Sequence, residues 1–210
     1  MVLGLVTLLF VVNFAISCFN AWSCGRSWNE TKSVGGLAHF MNWMCATMSA
    51  SGFTWCYLIV TVFVGTFIPH TQGEGVDAVT VPLVSEAMAK AAFELGYLVI
   101  YFPIVGSGLA MTLQSWAYFY RERSFRSGAV AGWNTFAQIY NIGSGFRNVP
   151  SAMSGVKSFF KSDEKGKLIV ALLVAMAAIG GIATTAFIIR ATARRVAEQA
   201  ELDYRRARAA

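Results

Sequence analysis

The chain has 210 residues, of which 56% are hydrophobic and only 13% charged, with a formal net charge of +6. The charged share is about half the ~25% of a soluble protein. Residues 1–25, 33–73, 95–120 and 168–189 hold no Asp, Glu, Lys or Arg, which a water-soluble fold of this size could not hide. The pattern reads as all-α, a polytopic membrane protein with four transmembrane helices, an interfacial amphipathic helix and a helical C-terminal tail.

A membrane-crossing helix needs roughly 20 apolar residues, because each adds 1.5 Å across ~30 Å of hydrocarbon. The first predicted span covers about 2–22. It has no basic start, which argues against a cleaved secretory signal or a lipoprotein site at Ala15-Ile16-Ser17-Cys18. Residues 23–42 read as a short hairpin eased by Gly25, Gly35 and Gly36. The second span covers about 43–68. Pro69 and the Gly-rich 71–75 then break the chain, and a helix is expected from about Pro82, with Glu86, Lys90 and Glu94 four apart. It leads into a third span, about 95–120, which Pro103 should kink.

Residues 121–167 are too long for a structureless loop. Val130, Trp133, Phe136, Ala137 and Tyr140 share one helical face, and Asn134, Gln138 and Asn141 share the opposite one. This predicts an interfacial helix over 130–142, ended by Gly143 and Gly145, and a second amphipathic piece after Pro150. A small folded cap on the spans is the alternative. The fourth span covers about 168–189. The domain division is thus a four-helix transmembrane unit over 1–190 and a helical basic tail over 191–210, where Ala193, Ala197, Ala200, Tyr204 and Ala207 form a short heptad seam.

Four crossings would put both ends of the chain on side A, and residues 23–42 and 121–167 on side B. Side B then carries ten Lys/Arg and side A seven. The positive-inside rule makes side B cytoplasmic, N-out and C-out, with the six Arg after Ile189 pulling the other way. Trp22, Trp28, Trp43, Trp116 and Trp133 fall near side B and are expected as interface anchors.

No catalytic or cofactor pattern is present. His39 and His70 lie on opposite sides in this layout, and Cys18, Cys24, Cys45 and Cys56 lack metal-ligand spacing. No ionisable residue lies inside the four spans, which argues against an ion-coupled transporter or a membrane-embedded enzyme. Asn13 is expected to meet another helix, since an unpaired amide in lipid is costly. Ala177, Gly181 and Thr185 form a small-residue seam expected to drive helix packing and self-association. Asn134, Gln138 and Asn141 are the expected partner-docking face. The Arg residues of the tail are interleaved with acids, which argues against nucleic acid.

The run from Asn13-Phe14-Ala15-Ile16-Ser17-Cys18-Phe19-Asn20-Ala21-Trp22 through Trp28, with Gly35-Gly36, Phe40-Met41-Asn42-Trp43 and Ala137-Gln138-Ile139-Tyr140-Asn141, resembles small multi-pass membrane proteins encoded in tailed-phage and prophage genomes. The resemblance implies a bacterial inner membrane and carries no assigned activity. The expected function is that of a non-enzymatic integral membrane protein, acting through helix association and a partner-docking cytoplasmic interface. Its expected company is the lipid bilayer, further copies of itself, and a membrane or cytoplasmic protein. An oligomeric pore or holin-like channel is the alternative.

Overall fold

The computed structural model describes residues 2–72, 79–162 and 164–209. Five long helices and one β-hairpin follow in the order α1 (Val2–Val34), α2 (Gly36–Gly65), β1 (Pro69–Gln72), β2 (Val79–Pro82), α3 (Glu86–Glu122), α4 (Phe125–Ser162) and α5 (Glu164–Ala209). Four of them, α1, α2, α3 and α5, are long and apolar enough to cross a membrane by length and composition. The tail belongs to α5 and is not a separate element.

The connections are tighter than the sequence implied. Residues 23–42 form no separate hairpin, because α1 runs on to Val34 and α2 starts at Gly36. Gly35 alone makes the turn at φ 113, a conformation glycine adopts without steric cost. Gly25 lies inside α1, where a Cβ would fall 2.8 Å from the Ile189 carbonyl oxygen of α5. Pro82 pairs with Pro69 in the hairpin, so α3 starts later than expected, at Glu86. There Ser85 caps it by accepting a hydrogen bond from the Met88 N–H at 3.2 Å. Helix α3 is continuous through Pro103. The Gly-rich stretch beyond Gln72 lies outside the described residues.

The largest departure is α4. The expected pieces, broken at Gly143, Gly145 and Pro150, are one helix of 38 residues. It turns back on α3 through Arg123, whose left-handed φ of 49 lets its N–H reach the Phe119 carbonyl at 2.8 Å. Helix α4 then runs antiparallel along the whole of α3. Trp116 Nε1 donates to Thr135 Oγ1 (2.9 Å), Thr112 Oγ1 to the Asn134 carbonyl (3.2 Å) and Gln138 Nε2 to the Val105 carbonyl (2.9 Å). Further along, Gly145 receives the Tyr101 hydroxyl and Gly155 the Glu94 carboxylate. These glycines are contact points for large α3 side chains and do not end the helix.

All five helices therefore run the length of the bundle in alternating directions. Ser49 Oγ donates to the Ser17 carbonyl, pairing α1 with α2 antiparallel. Gly96 of α3 meets Leu58 of α2, and Gly108 meets Met48. Along α5, Ala177 joins the Leu58 cluster, Thr185 meets Ser49, and Ile189 packs with Ala21, Cys24 and Ala46. One end, the hairpin end, holds β1, β2, the start of α3, the end of α4 and the start of α5. The other, the tryptophan end, holds the α1–α2 and α3–α4 turns and the last turns of α5. Four helices long and apolar enough to cross a membrane are present as expected, and α1 begins and α5 finishes at opposite ends of the bundle.

The main apolar core lies toward the hairpin end, where Leu58, Val62, Val84, Ala92, Val170 and Val174 pack together. In lipid such packing acts through close contact and hydrogen bonds, since the tails are as apolar as the side chains.

Candidate functional site

The tryptophan end carries the best-defined site. Asn42, 7% exposed, knots the α1–α2 turn. Its Oδ1 accepts from Ser27 Oγ (2.7 Å), its Nδ2 donates to Thr31 Oγ1 (2.9 Å), and its carbonyl accepts from Cys24 Sγ (3.3 Å). Asn29 Nδ2 then reaches across to the Ala193 carbonyl at 3.2 Å and ties this turn to α5. A turn deeper, Ser49 lies 3.3 Å from Thr185 Oγ1, hydroxyl to hydroxyl. Every group in this seam is satisfied within the chain, so it rigidifies the three-helix junction.

Beside that junction, α1, α2 and α5 enclose a groove of about 620 Å³. Its floor is made of small side chains, Ala46, Ala50 and Ala186, and its walls of Ile182 and Ile189. Its mouth is different. Trp28 and Trp43 stand edge to face there, ring centres 5.5 Å apart, and His39 packs against both rings, accepting from Trp43 Nε1 at 3.1 Å. Opposite stand Arg190 and Arg194. Arg194 Nε pairs with Glu198 at 2.7 Å, whereas Arg190 is exposed and forms no ion pair among the described residues. An apolar slot closed by aromatic rings and guanidinium groups suits an amphiphile with an anionic head.

The expected site residues are distributed as follows. Ala177 is fully buried, Thr185 is 4% exposed, and a Cβ on Gly181 would lie 2.6 Å from the Ala50 carbonyl oxygen. This seam packs against α2 of the same chain. Among the described residues the hydrogen bond of the Asn13 side chain stays within α1: its Nδ2 donates to the Leu9 carbonyl one turn back, at 2.8 Å. Gln138 is 5% exposed and spent on α3, and Asn134 and Asn141 are half-buried beside it. The amide face of α4 therefore points at α3, and the outward face carries Trp133, Phe136, Ile139 and Tyr140, each more than 60% exposed. Docking through Gln138 is corrected on that ground. Trp22, Trp28, Trp43, Trp116 and Trp133 all fall toward the tryptophan end, with the Arg26 guanidinium 5.1 Å above the Trp22 ring.

Sequence reasoning missed the groove and the course of α4. The overlooked signal is a fifth charge-free stretch, residues 127–146, bounded by Arg126 and Arg147. Among the described residues no cluster of His, Cys, Asp and Glu is arranged to hold a metal. The four cysteines are free thiols, and Cys24, Cys45 and Cys56 point at backbone carbonyls of the neighbouring helix. No protein-family model, curated protein or solved structure matches the chain.

Proposed function

We propose that the chain is a non-enzymatic integral protein of a bacterial inner membrane, crossing it five times with the tryptophan end in the cytoplasm, and acting through that end on a membrane or cytoplasmic partner. The observation that carries this reading is the course of α4. Its charge-free residues 127–146 lie beside the charge-free residues 95–120 of α3, joined at mid-depth by Gln138 and Val105. A helix packed along a membrane span shares its depth. The outward face of α4 is apolar and its amides are turned inward, as a membrane crossing requires.

The charges agree. With five crossings, eleven of the 17 Lys and Arg gather at the tryptophan end and six at the hairpin end, and the whole net charge of +6 falls at the tryptophan end. The Arg residues after Ile189, which oppose a four-span layout, now reinforce the orientation. The resemblance to phage and prophage membrane proteins supports the bacterial inner membrane. Helix association as the mode of action is supported by the hydroxyl seam and the glycine contacts. A pore is less well supported, because the buried Ser and Thr groups bond to one another and to backbone and line no channel.

Impermeant maleimide labelling of single cysteines in a Cys-free background tests the topology. Ser162→Cys is expected to react from outside intact cells, and Arg208→Cys only after permeabilisation. Reaction of both from the same face would overturn five crossings. Ion flux from liposomes holding the purified protein would replace the proposed role with that of a pore.

A further inference from the structure

We propose that the groove at the tryptophan end is a binding site for one anionic phospholipid, a lipid with a phosphodiester head and no compensating positive charge. The inference rests on the membrane-embedded reading and goes beyond it by naming a ligand class. Three independent features converge. The groove has a volume of about 620 Å³, within the ~300–1,000 Å³ typical of small-ligand sites. Its floor of Ala46, Ala50 and Ala186 is narrow and apolar and runs along α2 and α5, as an acyl chain would lie. At its mouth, in the headgroup zone marked by Trp28 and Trp43, stand Arg190 and Arg194.

The charges select the occupant. Glu198 pairs with Arg194 through Nε, leaving its two terminal nitrogens, and Arg190 forms no ion pair among the described residues. Two guanidinium groups one helical turn apart can both reach one phosphodiester, each supplying forked donors that an ammonium lacks. A zwitterionic head would bring its own cation against them and lose the advantage. A second copy of this chain fits less well, because its tryptophan end carries a net charge of +6 and would set like charge against these two Arg. The hydrogen bond from Asn29 to Ala193 and the one between the Ser49 and Thr185 hydroxyls hold both walls in place, so the slot exists before a lipid enters it.

The test uses the full chain in neutral detergent, titrated with dioleoyl phosphatidylglycerol or dioleoyl phosphatidylcholine, with retained lipid counted by native mass spectrometry. The expected result is one phosphatidylglycerol per chain, preferred about 30-fold over phosphatidylcholine, the product of about fivefold for each Arg. Arg190→Gln with Arg194→Gln should abolish the preference, and Arg190→Lys with Arg194→Lys should keep most of it, which separates charge from folding. Ala186→Phe, at an exposed position on the groove floor, should prevent retention of both lipids. Equal retention of the two lipids, or an unchanged preference in the double Gln variant, would overturn the proposal. So would displacement of phosphatidylglycerol by inorganic phosphate, which would mark an anion site without an acyl slot. A change of oligomeric mass in Ala186→Phe without a change in bound lipid would assign the groove to a second copy instead. The labelling experiment reads sidedness alone, so failure of the topology and failure of this site are distinguishable.

Discussion

Gly181 and Gly143 look alike in sequence, each inside a long helix. A Cβ on Gly181 would meet the backbone of α2, 2.6 Å from the Ala50 carbonyl oxygen and 2.7 Å from the Thr54 nitrogen, whereas one on Gly143 meets nothing within 4 Å. Backbone cannot swing aside, so Gly181→Ala must push α2 and α5 apart. We expect it to destabilise the detergent-solubilised protein by about 1–3 kcal/mol, with a lowered midpoint in thermal unfolding. Gly143→Ala should be neutral or gain about 0.5–1 kcal/mol from helix propensity. Equal midpoints for the two variants would refute the tight α2–α5 seam. The small-residue spacing of Ala177, Gly181 and Thr185 was legible in the sequence. Which helix it meets was not, because four-residue spacing records that two backbones approach and carries no address. Asn13 teaches the same lesson. An amide in an apolar run must find an acceptor, and the Asn13 amide finds the carbonyl of Leu9 on its own helix.

Helix α4 shows how an element escapes a hydropathy reading. Asn134, Gln138 and Asn141 recur every three to four residues and lower its mean apolarity, so it resembles a helix lying on a surface. Those same residues face α3, and the lipid-compatible residues Trp133, Phe136 and Ile139 face outward. Periodicity fixes that two faces differ; it does not say which face meets lipid and which meets protein. Two measurements separate the alternatives. Hydrogen exchange in nanodiscs should be slow across 127–146, since these amides are helical and shielded on every side. Ile139→Arg should lower membrane-integrated yield, at a cost of about 2.5–3.5 kcal/mol for a charge near mid-bilayer, while Asn148→Arg, beside Arg147, should be tolerated. On a surface-lying helix both substitutions would be harmless, and equal yields would return α4 to the interface.

Across the molecule, the last two turns of α5 stand apart from the bundle. Every described residue from Glu201 on is exposed, and the ion pairs there, Arg205–Glu201 at 2.9 Å and Arg206–Asp203 at 3.8 Å, lie within one helix. Exposed pairs of this kind contribute little to stability. Removal of residues 201–210 should therefore leave the unfolding midpoint unchanged. It should lower the oligomeric mass only if Tyr204 and Ala207 of the heptad seam join copies. A shifted midpoint with unchanged mass would show that the tail docks on its own bundle.

The presence of four helices long and apolar enough to cross a membrane was determined by the sequence alone, because long charge-free runs are written in the residues themselves. So was the tryptophan end, since Trp seeks the headgroup zone whatever the topology. The course of α4 was decided only by tertiary structure. A helix with a polar face has two resting places, on the membrane surface or inside a bundle, and its own residues fit both. Contact with α3 sets the course of α4, because Gln138 finds the Val105 carbonyl and Gly145 admits Tyr101 only when α4 turns back along its neighbour. The groove at the tryptophan end has the same origin: Ala46 and Ala50 come from α2, and Ala186 and the Arg mouth from α5, more than a hundred residues further along the chain, and only folding brings them together.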